Sequence, residues 1–285
     1  MKIKKTLILL LITMLMSVLV SCDLRLDFLP TTTTTKITEL SSLPTPTNGT
    51  LTFEDTNYND LPTYISPTYS LTNIDAYNNV LYATQDFVRQ ANIEVVNTTY
   101  NDRGRTEATS SGSGFIFLED DNYFYAITNN HVIDPGEFTS IYSITIHDGL
   151  SSSATLLATD PDLDLAVLRF EKLLKYDVTI INIYERLYYK FNRGELVIAV
   201  GNPLNVTNNV TFGEFKGMED ISNADYSVLY HDAKIYAGSS GGALVDVDGN
   251  LLGVNTWGTG ESEPYSFAIP NYIVYIFLVN YGILD

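Results

Sequence analysis

The sequence predicts an all-β fold made of two packed barrels of about six strands each. Two sets of short segments, rich in branched and aromatic residues and punctuated by Asn, Asp, Gly and Ser, are separated by one longer and less regular connection. Strands repeated at such short intervals bury their faces by closing on themselves, and one link between two sets gives two closures. A third observation is the run Asp246-Val247-Asp248-Gly249-Asn250-Leu251, which reads as strand, tight Asp-Gly turn, strand.

The first set comprises Ile93 to Val96, Gly114 to Leu118, Tyr123 to Thr128, Ile141 to Ile146, Ala154 to Ala158 and Leu165 to Phe170. The connection runs from Lys172 to Arg193. The second set comprises Leu196 to Val200, Val210 to Phe215, Ser227 to Tyr230, Ala243 to Val247, Leu251 to Thr256 and Tyr265 to Ile269. Before the first set, Ile74, Tyr77, Val80, Leu81, Phe87 and Val88 form a helical stripe, and Asn271 to Tyr281 reads as a closing helix.

The N-terminal part has a different texture. Lys2, Lys4 and Lys5 precede an apolar run from Leu7 to Leu19, shorter than the ~20 residues that span a bilayer and built like a secretory leader. Export is therefore expected. The only cysteine of the chain, Cys22, follows at once and cannot make an internal disulfide. From Asp23 to about Leu71 the chain is rich in Thr, Pro, Ser and Asn with no sustained period, the composition of a spacer, although Tyr58, Tyr64 and Tyr69 offer groups for docking on the body.

Charge excludes one class of function. The net charge is −18, and without the leader's three lysines 13 basic residues face 34 acidic ones, or −21. Such a surface repels phosphate backbones and anionic headgroups, so no nucleic-acid partner is expected.

The stretch Gly238-Ser239-Ser240-Gly241-Gly242 poses the functional question. As G-x-S-x-G it matches the elbow of an α/β-hydrolase, which runs from its serine into a helix and places its histidine downstream. Here a strand-turn-strand pattern follows, and the three histidines, His131, His147 and His231, all precede Ser240. A triad ordered Ser, Asp, His is impossible. A base for Ser240 must lie upstream. His147 and His231 stand beside polar turn residues and are expected to be solvated. His131 lies in a turn just past the strand ending at Thr128. Asp164 is the candidate acid, since it stands at the mouth of an apolar strand, where a carboxylate can be held rigidly against an imidazole.

Six motifs in order, Gly112 to Phe115 with Ile116, Thr128 to Ile133, Asp160 to Leu168, Val200 to Leu204, Ala237 to Thr256 and Phe267 to Pro270, resemble the trypsin-like serine proteases, most closely their bacterial HtrA-type branch. The resemblance covers about Ile74 to Asp285. It implies a chymotrypsin-type pair of barrels and a catalytic triad of His131, Asp164 and Ser240, with the N–H groups of Gly238 and Ser240 as oxyanion hole. Thr256, Trp257 and Gly258 are implied to pair with a protein or peptide substrate, and Lys234 stands where the floor of the primary pocket is implied. A cation there favours acidic side chains; alternatively Lys234 extends into solvent.

Neither metal nor cofactor is implied. Leu19 to Cys22 resembles a bacterial lipobox, so residues 1–21 are read as signal peptide, 22–73 as linker lipidated at Cys22, and 74–285 as protease domain. The location implied is the extracytoplasmic face of the cell membrane. Ser239 departs from the family's usual Asn or Asp, and Ala237 from the Pro of the HtrA branch. No room is expected for the PDZ domain of that branch, and oligomeric state is left open. The competing reading is a silent, protease-shaped surface lipoprotein that binds a protein partner.

Overall fold

The computed structural model describes residues 61–172, 176–203, 206–222, 224–258 and 265–284. Twelve strands form two closed antiparallel barrels. The first contains β1 (Asn92–Tyr100), β2 (Thr106–Glu119), β3 (Tyr123–Thr128), β4 (Thr139–Ile146), β5 (Ser151–Asp160) and β6 (Leu165–Glu171). The second contains β7 (Leu196–Gly201), β8 (Asn209–Asp220), β9 (Ser227–His231), β10 (Ala243–Val245), β11 (Leu251–Gly258) and β12 (Ser266–Pro270). Around the first barrel the order is β1-β2-β3-β6-β5-β4; around the second the same path is traced by β7-β8-β9-β12-β11-β10. One topology is used twice, and closure leaves neither sheet with an open edge.

Each expected strand forms, and several run longer than their apolar cores. β2 begins at Thr106, six exposed residues ahead of its buried half, because it continues as a hairpin with β1, pairing Tyr100 with Thr106 and Ile93 with Gly114. Ladder hydrogen bonds, which need no apolar side chain, extend a strand past the point where the hydrophobic pattern ends.

Three apolar clusters hold the unit together. Ile93, Ile116, Ile144, Ala166 and Leu168 fill one barrel, while Val197, Phe215, Leu229, Leu244 and Ala268 fill the other. Between them Phe115, Ile127 and Val167 meet Ile198, Val200, Val245 and Val254, and the closing helix Asn271–Asn280 adds Val274 and Phe277 to the same layer. Burial of both strand faces explains why β6, β7 and β10 read as continuous apolar runs. The helix Ile74–Ala91 starts where the Asn73 side chain accepts from the N–H groups of Asp75 and Ala76, and it buries Thr84, Val88 and Ala91.

Residues ahead of that helix also pack on the second barrel. Tyr64 lies over Arg186 with 4.3 Å between guanidinium and ring centroid, and Thr68 donates to Asp248 at 2.5 Å. Arg186 is fully buried, bonded to Glu195 at 2.5 and 3.1 Å and to Asp246 at 2.8 Å. Burial lowers the Arg186 pKa, but these carboxylate bonds outweigh it and leave the value above that of a free arginine. The expected docking of Tyr64 and Tyr69 is met, since the Tyr69 hydroxyl accepts from the N–H of Leu196 at 3.1 Å. Tyr58, Cys22 and the leader lie outside the described residues. Among the described residues no helix is long and apolar enough to cross a membrane.

One expectation is overturned. His231 is not solvated but fully buried at the end of β9, paired across the sheet with Phe215 and Ser266. The polar Asp232 that follows it in sequence lies outside the barrel, where it bonds Lys216 at 2.7 Å, and the strand's alternation turns His231 inward.

Candidate active site

β3 and β6 are antiparallel neighbours with Thr128 opposite Ala166, so the end of one strand meets the start of the other at one barrel mouth. That pairing joins His131 to Asp164. His131 sits in a single helical turn, Asn130–Ile133, whose Val132 and Ile133 are buried and whose histidine faces out. Its Nδ1 lies 3.0 and 2.9 Å from the two carboxylate oxygens of Asp164, and its backbone N–H donates to Oδ1 at 3.0 Å. The His131 side chain is 46% exposed and that of Asp164 only 14%, so the acid is sheltered while the imidazole reaches the solvent side.

Asp164 has φ +54°, a left-handed conformation that Asp tolerates better than most residues. Its carbonyl is held by Asn129 Nδ2 at 2.8 Å, and the carbonyl just before it, that of Leu163, accepts from the Tyr226 hydroxyl at 3.0 Å. Burial, with Asp164 and Asp160 adding negative charge nearby, raises the Tyr226 pKa and keeps it a donor. Thr256 Oγ1 donates to Asp164 Oδ2 at 2.9 Å. Oδ2 thus meets groups of both barrels, while Oδ1 meets His131 of the first.

Ser240 lies in the loop between β9 and β10. Its hydroxyl donates to the Thr256 carbonyl at 3.0 Å, and among the described residues it makes no hydrogen bond to His131. The loop nevertheless lies against the His131 turn. A Cβ on Gly241, at φ +87°, would fall 2.1 Å from the Ser113 carbonyl and 3.0 Å from the Asn129 nitrogen. Only glycine fits there, by conformation and by space. Gly242 is as tightly placed, 2.0 Å from the Val200 carbonyl by the same measure.

Within this loop the N–H groups of Ser239, Gly241 and Gly242 bond the carbonyls of Tyr236, Asn255 and Ser239 at 2.8, 2.8 and 3.0 Å. Those of Gly238 and Ser240, the two implied oxyanion donors, have no backbone acceptor among the described residues. The Ser239 side chain, at the position that departs from the family's usual Asn or Asp, is buried and accepts from the Tyr236 N–H at 3.2 Å, closing the turn.

The remaining expected positions lie around the same loop. Thr256 and Trp257 are largely buried and Gly258 is exposed at the end of β11. The pairing of β10 with β11 reaches no further than Ala243 and Val254, so residues 256–258 are paired, among the described residues, to a strand only on the β12 side, where Trp257 faces Phe267. Lys234 is exposed, its carbonyl accepts from Thr211 Oγ1 at 2.9 Å, and its ammonium makes no salt bridge among the described residues. Ile235, not Lys234, approaches Gly258: a Cβ there would lie 3.2 Å from Ile235 Cγ1.

Sequence reasoning missed two groups. One is the Thr256 hydroxyl, for which the residue type gave no signal beyond substrate pairing. The other is Ser113, a fully buried polar residue in an apolar strand, legible only as a hydroxyl between Gly112 and Gly114.

Comparisons with known proteins agree with this fold. Residues 112–254 match the family described as Trypsin-like peptidase domain. The chain is 31% identical over 193 residues to the Serine protease Do-like HtrA of Bacillus subtilis, covering 64% of this chain and 41% of that protein. It is 36% identical over 166 residues to a Probable periplasmic serine endoprotease DegP-like of Chlamydia pneumoniae, covering 56% and 32%. It is 34% identical over 173 residues to the protein of that name from Brucella suis, covering 59% and 32%. The chain thus spans about a third to two fifths of the length of these relatives.

Proposed function

This chain belongs to the trypsin-like peptidase family, and on that premise we propose that it is a serine endopeptidase that cleaves protein or peptide substrates through His131, Asp164 and Ser240. The observation that carries the reading is the hydrogen-bonded path from His131 Nδ1 to Asp164, from Asp164 to the Thr256 hydroxyl and from the Thr256 carbonyl to Ser240. It gathers a nucleophile, a base and an orienting acid at one cleft.

In this mechanism Nδ1–H of His131 donates to Asp164, which leaves Nε2 as the free base. Rotation of the Ser240 hydroxyl from the Thr256 carbonyl toward Nε2 lets the proton pass to His131 as the oxygen attacks the scissile carbonyl. Asp164 stabilises the imidazolium that forms. The N–H groups of Gly238 and Ser240 receive the developing oxyanion, a role for which their lack of backbone acceptors suits them. His131 then protonates the leaving amine, and water releases the acyl group by the same steps in reverse. The free side of residues 256–258 offers main-chain groups to an extended substrate, as in strand addition. Lys234 selects acidic side chains only if its ammonium turns from solvent into the pocket.

The relatives named periplasmic support an extracytoplasmic location. Tethering at the membrane through a lipid on Cys22 completes the proposal. The second reading, a silent partner-binding lipoprotein, draws on the Ser240 hydroxyl being engaged by Thr256 rather than His131. A fluorophosphonate probe decides between them. Labelling of the wild type and not of Ser240→Ala supports the enzyme, and absence of labelling in both, with intact folding, refutes it.

A further inference from the structure

Among the described residues, Ser113 of the first barrel holds the nucleophile loop at two points. Its side chain is fully buried in β2. Its Oγ donates to the Gly238 carbonyl at 2.6 Å, and its backbone N–H donates to the Ser240 carbonyl at 2.8 Å. The same Oγ accepts from the Asn202 N–H at 2.7 Å, which orients the hydroxyl proton toward Gly238. The Ser113 carbonyl accepts from Thr128 Oγ1 at 2.7 Å, three residues ahead of His131.

We propose that Ser113 is the positioning residue of the oxyanion site, its hydroxyl fixing the Gly238 carbonyl so that the Gly238 and Ser240 N–H groups face the cleft. The proposal rests on the peptidase reading above and deepens it. The physical reason is the freedom of the loop. Gly238 has φ +97° and no Cβ to restrain its neighbouring peptides, so its orientation is set by hydrogen bonds alone. The peptide between Gly238 and Ser239 is pinned at both ends, by Ser113 on its carbonyl and by the Tyr236 carbonyl on its N–H at 2.8 Å.

Removing the hydroxyl leaves the Gly238 carbonyl and the Asn202 N–H without this partner in a buried place. The Gly238–Ser239 peptide is then free to turn, and because Gly238 has no Cβ the change passes through its Cα to the adjoining Gly238 and Ser240 N–H groups. Space around the hydroxyl is already committed. A Cβ on Gly201 would lie 3.0 Å from Ser113 Oγ and 3.0 Å from the Ser239 Cα, so the loop cannot be re-seated by a bulkier neighbour.

The test compares the full chain as wild type, Ser113→Ala and Thr84→Val. The last removes a buried hydroxyl bond to a carbonyl, Thr84 to Val247 at 2.8 Å, outside the cleft. The measurements are kcat and KM on a peptide the wild type cleaves, the Kd of a peptide boronate, and Tm. Ser113→Ala is expected to lose about 10²-fold in kcat, the cost of a small misplacement at a reacting centre, with KM little changed and boronate affinity weakened in step.

Thr84→Val is expected to lose Tm and keep kcat. Should Ser113→Ala fail to fold, Ser113→Cys, which replaces the hydroxyl by a larger and weaker donor, gives a second readout. A kcat for the folded Ser113 variants equal to that of the wild type overturns the inference and leaves the peptidase reading standing. A wild type that neither cleaves nor takes a fluorophosphonate overturns both.

Discussion

Thr256 and Asp164 are joined across the cleft by a 2.9 Å hydrogen bond, the hydroxyl of the second barrel's β11 meeting the carboxylate that precedes β6 in the first. The carboxylate also takes the His131 ring and its backbone N–H. Three donors therefore hold one acid between two barrels. Thr256→Val removes one of them without changing shape. A hydrogen bond to a charged group contributes about 1.5 kcal/mol or more, so kcat/KM is expected to fall at least about tenfold. Thr256→Ser should restore it; steady-state kinetics on all three proteins make the check.

Asp164→Asn keeps the side-chain shape and presents an NH₂ where the imidazole needs an acceptor. His131 then adopts the wrong tautomer for taking the Ser240 proton. A loss of about 10⁴-fold in kcat is expected, the size of the same change in a chymotrypsin-type triad. Single-turnover acylation, measured with folding confirmed by circular dichroism, tests it; a loss below tenfold contradicts the assigned role.

His231 sets a pH dependence of stability. Both its ring nitrogens are buried without a hydrogen-bond partner among the described residues, and burial pushes its pKa down from 6.5 to about 3, against smaller raising effects from Asp232 and the backbone of Ala233. Between those values the unfolded ring holds a proton that the folded ring does not, so stability from this group is complete above pH 6.5 and is lost as pH falls toward 3. The slope approaches 1.36 kcal/mol per pH unit inside the window. Urea titrations of wild type and His231→Leu should therefore diverge in the variant's favour from pH 6.5 to 4. Parallel curves would remove the burial argument.

Arg186 carries a stability prediction remote from the cleft. Burial pushes the Asp246 carboxyl up, and Arg186, which also holds Glu195, pulls it back. Arg186→Met strands two buried carboxylates and is expected to cost about 3–5 kcal/mol, read from the shift of the urea midpoint. Adding Glu195→Gln and Asp246→Asn to that variant should recover part of the loss, because no unpaired charge then remains.

Gly241→Ala tests the loop's packing. The added methyl meets the Ser113 carbonyl at 2.1 Å at a positive φ, so it must push the nucleophile loop off β2. Labelling by a fluorophosphonate is expected to vanish while the barrels still fold, and wild-type labelling rates in this variant would show that the loop does not rest there.

Both barrels were legible because periodicity and turn residues are local properties: strands such as Tyr123–Thr128 carry their pattern within their own few residues. The order His131, Asp164, Ser240 was legible for the same reason, since chain order alone removes the hydrolase alternative. His231 misled because a polar neighbour, Asp232, suggested solvent, whereas alternation along β9 sends adjacent side chains to opposite faces.

What the sequence by itself determined is the inventory: which strands exist, and in what order the hydroxyl, imidazole and carboxylate proposed to act occur. Tertiary structure decided which of them touch. The Thr128–Ala166 register brings His131 to Asp164, and closure of the second barrel brings Thr256 to both Asp164 and Ser240. Residues 92 apart in the chain meet there, and the Ser113 hydroxyl reaches a carbonyl 125 residues on. Such contacts depend on packing between distant segments, whose free energy is spread over every buried surface that joins them, so no local stretch of residues encodes them.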